Sequence, residues 1–248
     1  MYVSGITDTG SVRTQNQDAI FHSREQVGPL PNLFIVADGM GGHNAGEVAS
    51  SQTIEAFCDY IRNFPIAQLI QPEDYLDLLV TAAQHANEAV FSRAGDTESL
   101  TGMGTTLTAC VIEDEKAIIV HVGDSRVYAI KPDSITQLTS DHTYVEEMIT
   151  AGQLTPDDAK SHPKRHMLTR VLGTQAHLQV DGLVPSLADC TAILLCSDGL
   201  CNMLDDQSIL EIVNRPGYVE QRTKALIDEA NLKGGSDNIS AILIDIGR

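Results

Sequence analysis

The residues best placed to do chemistry are aspartates that stand beside or close to glycine at the edges of apolar runs. Asp38 follows Leu33-Phe-Ile-Val-Ala37 and precedes Gly39, and Asp198 follows Ala192-Ile-Leu-Leu-Cys-Ser197 and again precedes a glycine. Asp124 follows Ile118-Ile-Val-His-Val-Gly123, while Asp237, in Gly234-Gly-Ser-Asp-Asn238, immediately precedes the last apolar run. One such aspartate is an ordinary turn, because Asp-Gly is among the commonest turn pairs. Four are either independent turns or parts of one rim. Clustered carboxylates repel one another and lose hydration, so a shared rim persists chiefly when a cation neutralises it. Oxygen donors from Asp, a glycine carbonyl and water suit Mn²⁺ or Mg²⁺ rather than zinc. Two such ions polarise a phosphoryl oxygen and deprotonate a bridging water.

Other polar residues have the chemistry to complete such a rim, and each has a plainer alternative. Arg13 lies in Arg-Thr-Gln-Asn-Gln-Asp18, and its planar fork suits bidentate capture of a phosphate, although a lone arginine is ordinarily a surface residue. Asp18 either orients metal-bound waters or ends a turn. His43, after the Gly-Met-Gly-Gly loop, has a pKa suited to proton donation at neutral pH, whereas a lone histidine is more often structural.

The elements that must position these residues are short. Strands are expected over Tyr2–Thr7, Ala19–Ser23, Leu33–Ala37, Thr105–Ile112, Ala117–Val122, Arg126–Ile130, Ala192–Cys196 and Ile239–Ile246. Connections such as Glu113-Asp114-Glu115 favour antiparallel hairpins. Helical spacing predicts helices over Gly46–Asn63 and Pro72–Ala94, the second opened by proline and two acids. Two later helices are expected over Asp205–Val213 and Val219–Leu232. A helix pair thus follows the early strands and another precedes the last strand. The predicted fold is α+β: a four-layer α-β-β-α sandwich of two antiparallel sheets flanked by helix pairs. Residues 141–170 hold one short expected helix, Tyr144–Ala151, and a polar run from Thr155 to Arg165; they are expected to form a flap over the surface, and a site beneath it is one option.

The chain has 248 residues, is 42% hydrophobic with only 4% aromatics, and shows no internal repeat or linker. A single domain over 1–248 with an aliphatic core is expected. The formal net charge of −18 argues against nucleic acid or an anionic membrane as partner, since either needs a basic patch. Bound divalent cations would reverse the sign locally and let an acidic protein handle phosphate. The five cysteines include no Cys-x-x-Cys pair and are expected to be reduced core residues. With neither a leader pattern nor an apolar run of spanning length, a cytoplasmic monomer is the expectation.

The motifs Arg13-x-x-Asn-Gln-Asp18, Val36-Ala-Asp-Gly-Met-Gly-Gly-His43, Gly102-Met-Gly-Thr-Thr106, Val122-Gly-Asp-Ser-Arg126, Cys196-Ser-Asp-Gly-Leu200 and Gly234-Gly-x-Asp-Asn238 occur in one order along nearly the whole chain. Together they resemble the metal-dependent serine/threonine protein phosphatases of the PPM, or type-2C, family in its compact bacterial form. The resemblance implies a central β-sandwich with a metal centre at one edge. It implies that Asp38 bridges two ions, that the Gly39 carbonyl helps hold one, and that Asp198 and Asp237 complete the centre. Asp124, with Asp198, would bind a third ion. Arg13 would hold the substrate phosphate, Asp18 would act from behind the ligands, and His43 would be the general acid. The Gly-Met-Gly-Thr-Thr motif is assigned to the fold. The implied reaction is direct attack by metal-activated water on phosphoserine or phosphothreonine, opposing a serine/threonine kinase. Cys201 is then no nucleophile. His166 sits where some bacterial relatives carry a serine near the third ion, and is left outside the ligand set. Ser240 stands where threonine is expected. Two alternatives are a phosphatase for phosphotyrosine or small phosphoesters, and a silent binding module.

Overall fold

The computed structural model describes residues 1–42, 44–65 and 72–246. Among the described residues, eleven strands form two antiparallel sheets. The first sheet runs β1 (Tyr2–Asp8), β11 (Ile239–Asp245), β10 (Ala192–Cys196), β7 (Arg126–Ile130) and β8 (Ile135–Gln137). The second runs β2 (Asp18–Ser23), β3 (Leu33–Met40), β5 (Leu107–Glu113), β6 (Lys116–Val122) and β9 (Asp181–Leu183), with β4 (Gly104–Thr105) paired to the end of β3. First and last strands of the chain are neighbours, with Tyr2 opposite Asp245.

Alternation along the strands builds the layers, because successive side chains leave a strand on opposite faces. In β3, Leu33 and Ile35 pack into one buried cluster with Phe57, Ile61, Leu79 and Ala83, under α1 (Ala45–Asn63) and α2 (Pro72–Asp96). Phe34 and Val36 point the other way, into a cluster with Ile193, Leu195, Ile242 and Ile244 of the first sheet. That cluster is the layer between the sheets. On the far side, Leu194, Cys196 and Leu243 pack with Ile209, Val213 and Leu226 of α6 (Asp206–Val213) and α7 (Val219–Leu232). The expected four layers are therefore present, each apolar face contributing at roughly 25 cal/mol per Å² buried.

Several boundaries differ from expectation, and the differences bear on chemistry. β3 continues past Ala37 through Met40, because Asp38 pairs with Asp18 and Gly39 with Thr105. Asp38-Gly39 is strand rather than turn. The expected strand from Thr105 divides into β4 and β5. The three-residue strands β8 and β9 were not anticipated, being too short to carry a period, and neither was the one-turn helix α5 (Asp198–Cys201). In the 141–170 segment lie α3 (Tyr144–Thr150) and α4 (Pro156–Lys160). Its two ends are zipped together: the Tyr144 amide donates to the Met167 carbonyl at 2.8 Å, and Thr169 to His142 at 2.9 Å. All five cysteines are free.

Candidate metal centre

Asp38 is on β3 directly opposite Asp18 on β2. Asp124 occupies the tight connection from β6 to β7. Asp198 opens α5 just after β10, and Asp237 stands just before β11, the partner of β10. The two sheets thus deliver the four predicted ligands and Asp18 to one edge. Their convergence is electrostatic as well as spatial. Burial, followed by repulsion from Asp18, Asp198, Asp124 and Asp237, holds the Asp38 carboxyl well above the usual carboxylate range. Burial first, then Asp198, raises Asp124 to about 8. Burial also raises Asp18 to about 7, against the hydrogen bonds it receives from Ser240 and Ser197. Asp198 is pushed up by burial and by Asp237.

Such a cluster is strained without a neutralising charge. Among the described residues no three carboxylate, imidazole or thiol groups already close as a ligand set. Two observations nevertheless fit a hard cation. The Oδ1 atoms of Asp18 and Asp198 are buried without any hydrogen-bond partner, whereas buried acceptors ordinarily find a donor. The donor set is also oxygen-only, as Mn²⁺ and Mg²⁺ prefer.

Backbone contacts hold this rim in place. The Asp38 amide donates to Thr106 Oγ1 at 2.9 Å, and the Asp38 carbonyl accepts from the Thr106 amide and the Thr105 hydroxyl, both at 2.9 Å. Thr106 Oγ1 lies 2.8 Å from Ser125 Oγ, so one hydroxyl links the strand bearing Asp38 to the turn bearing Asp124. The Gly-Met-Gly-Thr-Thr motif is structural in this sense. Gly39 is buried, and a Cβ there would overlap the Gly46 carbonyl oxygen of α1. Cys201 is half-buried; contact with Cys196, then burial, pushes its thiol up, which suits an unreactive group.

Arg13 is exposed at the mouth, donating from Nη2 to Asp237 Oδ2 at 2.8 Å. That hydrogen bond, then the charge of Asp237, with Asp38 and Asp198 adding, holds its guanidinium protonated. Its loop is pinned by Asn238, whose Oδ1 accepts from the Gln17 amide at 2.8 Å while Nδ2 donates to the Thr9 and Gln15 carbonyls at 2.9 Å. His43, the expected general acid, lies outside the described residues. His166 is exposed on the 141–170 segment, on the side of it that faces Asp198.

Sequence reasoning missed several residues that position the rim. Ser197 and Ser240 both donate to Asp18 Oδ2 at 2.7 Å. Arg126 forks onto Asp141, with Nε at 3.0 and 3.1 Å from its oxygens and Nη2 at 2.7 Å. Ser125, Arg126, Ser197 and Asn238 all lie inside the motifs quoted above, so the signal was their adjacency to an aspartate. Asp141 carried no such signal.

Comparison with known proteins identifies the family of the chain. A family model described as protein phosphatase 2C matches residues 10–233. The chain is 36% identical over 246 residues to the protein phosphatase PhpP of Streptococcus pneumoniae, covering 99% of this chain and 98% of that one. The structure of the serine/threonine phosphatase Stp1 from Staphylococcus aureus superposes with a TM-score of 0.91 at 31% identity, covering 99% of this chain and 95% of that one. The catalytic domain of the serine threonine protein phosphatase PstP, solved in complex with two manganese ions, superposes with a TM-score of 0.82 at 31% identity, covering 100% and 98%. With the motifs in order and the match running nearly end to end, the chain belongs to the protein phosphatase 2C family.

Proposed function

We infer that this protein is a metal-dependent serine/threonine phosphatase whose centre is the carboxylate rim described above. The observation that carries it is the rim's two buried, donorless carboxylate oxygens on Asp18 and Asp198, set among carboxylates that repel one another. Asp38, the Gly39 carbonyl, Asp198 and Asp237 would hold two Mn²⁺ or Mg²⁺ ions, and Asp124 with Asp198 a third. When bound, these ions supply Lewis acidity toward phosphoryl oxygens and lower the pKa of an attacking water. Arg13 exchanges its contact with Asp237 for two oxygens of the substrate phosphate, which its fork matches. Asp18, gripped by Ser197 and Ser240, presents its remaining oxygen to the ligand shell. His43 donates a proton to the departing serine or threonine oxygen.

The same reading takes phosphorylated proteins as substrates, a serine/threonine kinase among them, and a cytoplasmic monomer acting through one catalytic domain over 1–248. Supporting it are the similarity to bacterial serine/threonine phosphatases over full length and the pairing of first and last strands in one sheet. Among the described residues no helix is long and apolar enough to cross a membrane.

The test is phosphate release from phosphoserine, phosphothreonine and phosphotyrosine versions of one peptide, with and without Mn²⁺ or Mg²⁺, for the natural protein and Asp198→Ala. Metal-dependent release from the first two, lost by at least about 100-fold in the variant, is expected. Release that ignores added metal, or survives the substitution, would refute the centre.

A further inference from the structure

Asp124 is held from both sides by residues at the base of the 141–170 segment. On one side the Gly123 amide donates to His142 Nδ1 at 3.1 Å, and the His142 amide donates back to the Gly123 carbonyl at 2.7 Å. On the other side Arg126 is forked onto Asp141. The far end of the segment joins the same point. Thr169 donates to the His142 carbonyl at 2.9 Å, and Arg170 Nη1 donates to Asp181 Oδ1 at 2.6 Å. Asp181 Oδ2 lies 3.1 Å from His142 Nε2.

These contacts decide the tautomer. A backbone amide only donates, so Nδ1 must accept, and the ring proton sits on Nε2, facing Asp181. The nearby Arg170 Nη1, 3.2 Å from Nε2, then has Asp181 as its acceptor. His142 is 5% exposed, so the bond it accepts from the Gly123 amide is buried and its geometry tightly enforced, while Asp181 and Arg170 reach it from the solvent side. Burial, against the pull of Asp181, keeps the ring neutral. His121, its ring 4.8 Å away, donates from Nε2 to the Ser140 carbonyl at 3.2 Å and packs this base from below.

We propose that His142 is a positioning residue for Asp124: it fixes the 123–125 turn so that the carboxylate is preorganised for a divalent cation, and Asp181 and Arg170 hold its ring in the required tautomer. This rests on the reading of Asp124 as a metal ligand. The two-sided grip also ties the 141–170 segment mechanically to the centre, since both of its ends meet at His142.

Mn²⁺ titration calorimetry on the natural protein, His142→Ala, His142→Asn, Asp124→Ala and the His142/Asp124 double variant tests it, each at a temperature where circular dichroism shows it folded. The expected result is a loss of about 10-fold or more in affinity, for His142→Ala, at the Mn²⁺ site that Asp124→Ala removes. His142→Asn, whose side-chain oxygen can still accept from Gly123, should recover most of it. In the Asp124→Ala background, His142→Ala should change the isotherm no further. If His142→Ala does not fold, Asp181→Ala, which frees the ring but leaves it in place, should weaken the same site. Altered binding in Asp124→Ala with none in His142→Ala overturns the proposal alone. An unaltered isotherm in Asp124→Ala overturns both the proposal and the ligand reading beneath it.

Discussion

The Ser197 and Ser240 hydroxyls converge on one oxygen of Asp18, and Ser240 is itself backed by a chain in which Asn16 donates to Thr7 and Thr7 meets Ser240 at 2.8 Å. Because Asp18 is buried, each hydroxyl matters more than it would at the surface. Ser240→Ala removes a donor from a buried carboxylate and should cost about 1–3 kcal/mol in urea unfolding at pH 8, above the raised pKa of Asp18. Ser240→Thr keeps the hydroxyl but adds a methyl at a fully buried position, and should cost less than the alanine variant. Equal stability for the alanine variant would mean the carboxylate draws nothing from that chain.

At the scale of elements, the centre depends on how closely α1 approaches the end of β3. Gly39 sits where α1 begins, with the Gly46 and Gln17 carbonyl oxygens against it. The Ser50 hydroxyl reaches the Gln17 carbonyl at 2.6 Å, and the Gly39 amide donates to the same oxygen at 3.1 Å. Gly39→Ala places a methyl into backbone that has no side chain to move aside. The expected penalty is about 2 kcal/mol or more, or a fall of roughly 4–8 °C in Tm, seen by differential scanning calorimetry of the metal-free protein. An unchanged Tm would mean that α1 can slide, and the close packing would then not fix Asp38.

Across the whole molecule, buried histidines make stability depend on pH. His121 accepts from Thr108 and lies beneath the 141–170 base; burial, then repulsion from His142, lowers its pKa from 6.5 to about 3. The unfolded chain therefore binds a proton below pH 6.5 that the folded protein refuses until about pH 3. Its stabilising contribution is complete above pH 6.5 and is lost as pH falls through that window. Between pH 6.5 and 5 the loss from His121 is about 2 kcal/mol. Raised carboxylates such as Asp18 and Asp124 act with the opposite sign in the metal-free protein, favouring it at low pH. The readout is accordingly the difference between the natural protein and His121→Gln. That difference should shrink from pH 7 to pH 5; a constant difference would show that His121 takes up its proton without unfolding.

Much of this molecule was legible in the chain. The unbroken apolar runs Leu33–Val36 and Ala192–Cys196 mark strands buried on both faces, because the period-2 geometry sends neighbours to different layers. The aspartates repeated at strand edges pointed to one shared rim, and the fold brings Asp38, Asp124, Asp198 and Asp237 within reach of one another. What pattern could not reach were short-range exceptions and long-range meetings. β8 and β9 are three residues long, too brief for any period. Asp38-Gly39 read equally well as a turn until Asp18 was found paired across from it. The hold of His142 on Gly123, of Arg126 on Asp141, and of Ser197 and Ser240 on Asp18 joins residues up to 222 positions apart. Residue types set what each side chain can donate, accept or neutralise; only the packing of two sheets at one edge decided which of them meet, because that depends on register and layer rather than on neighbours in the chain.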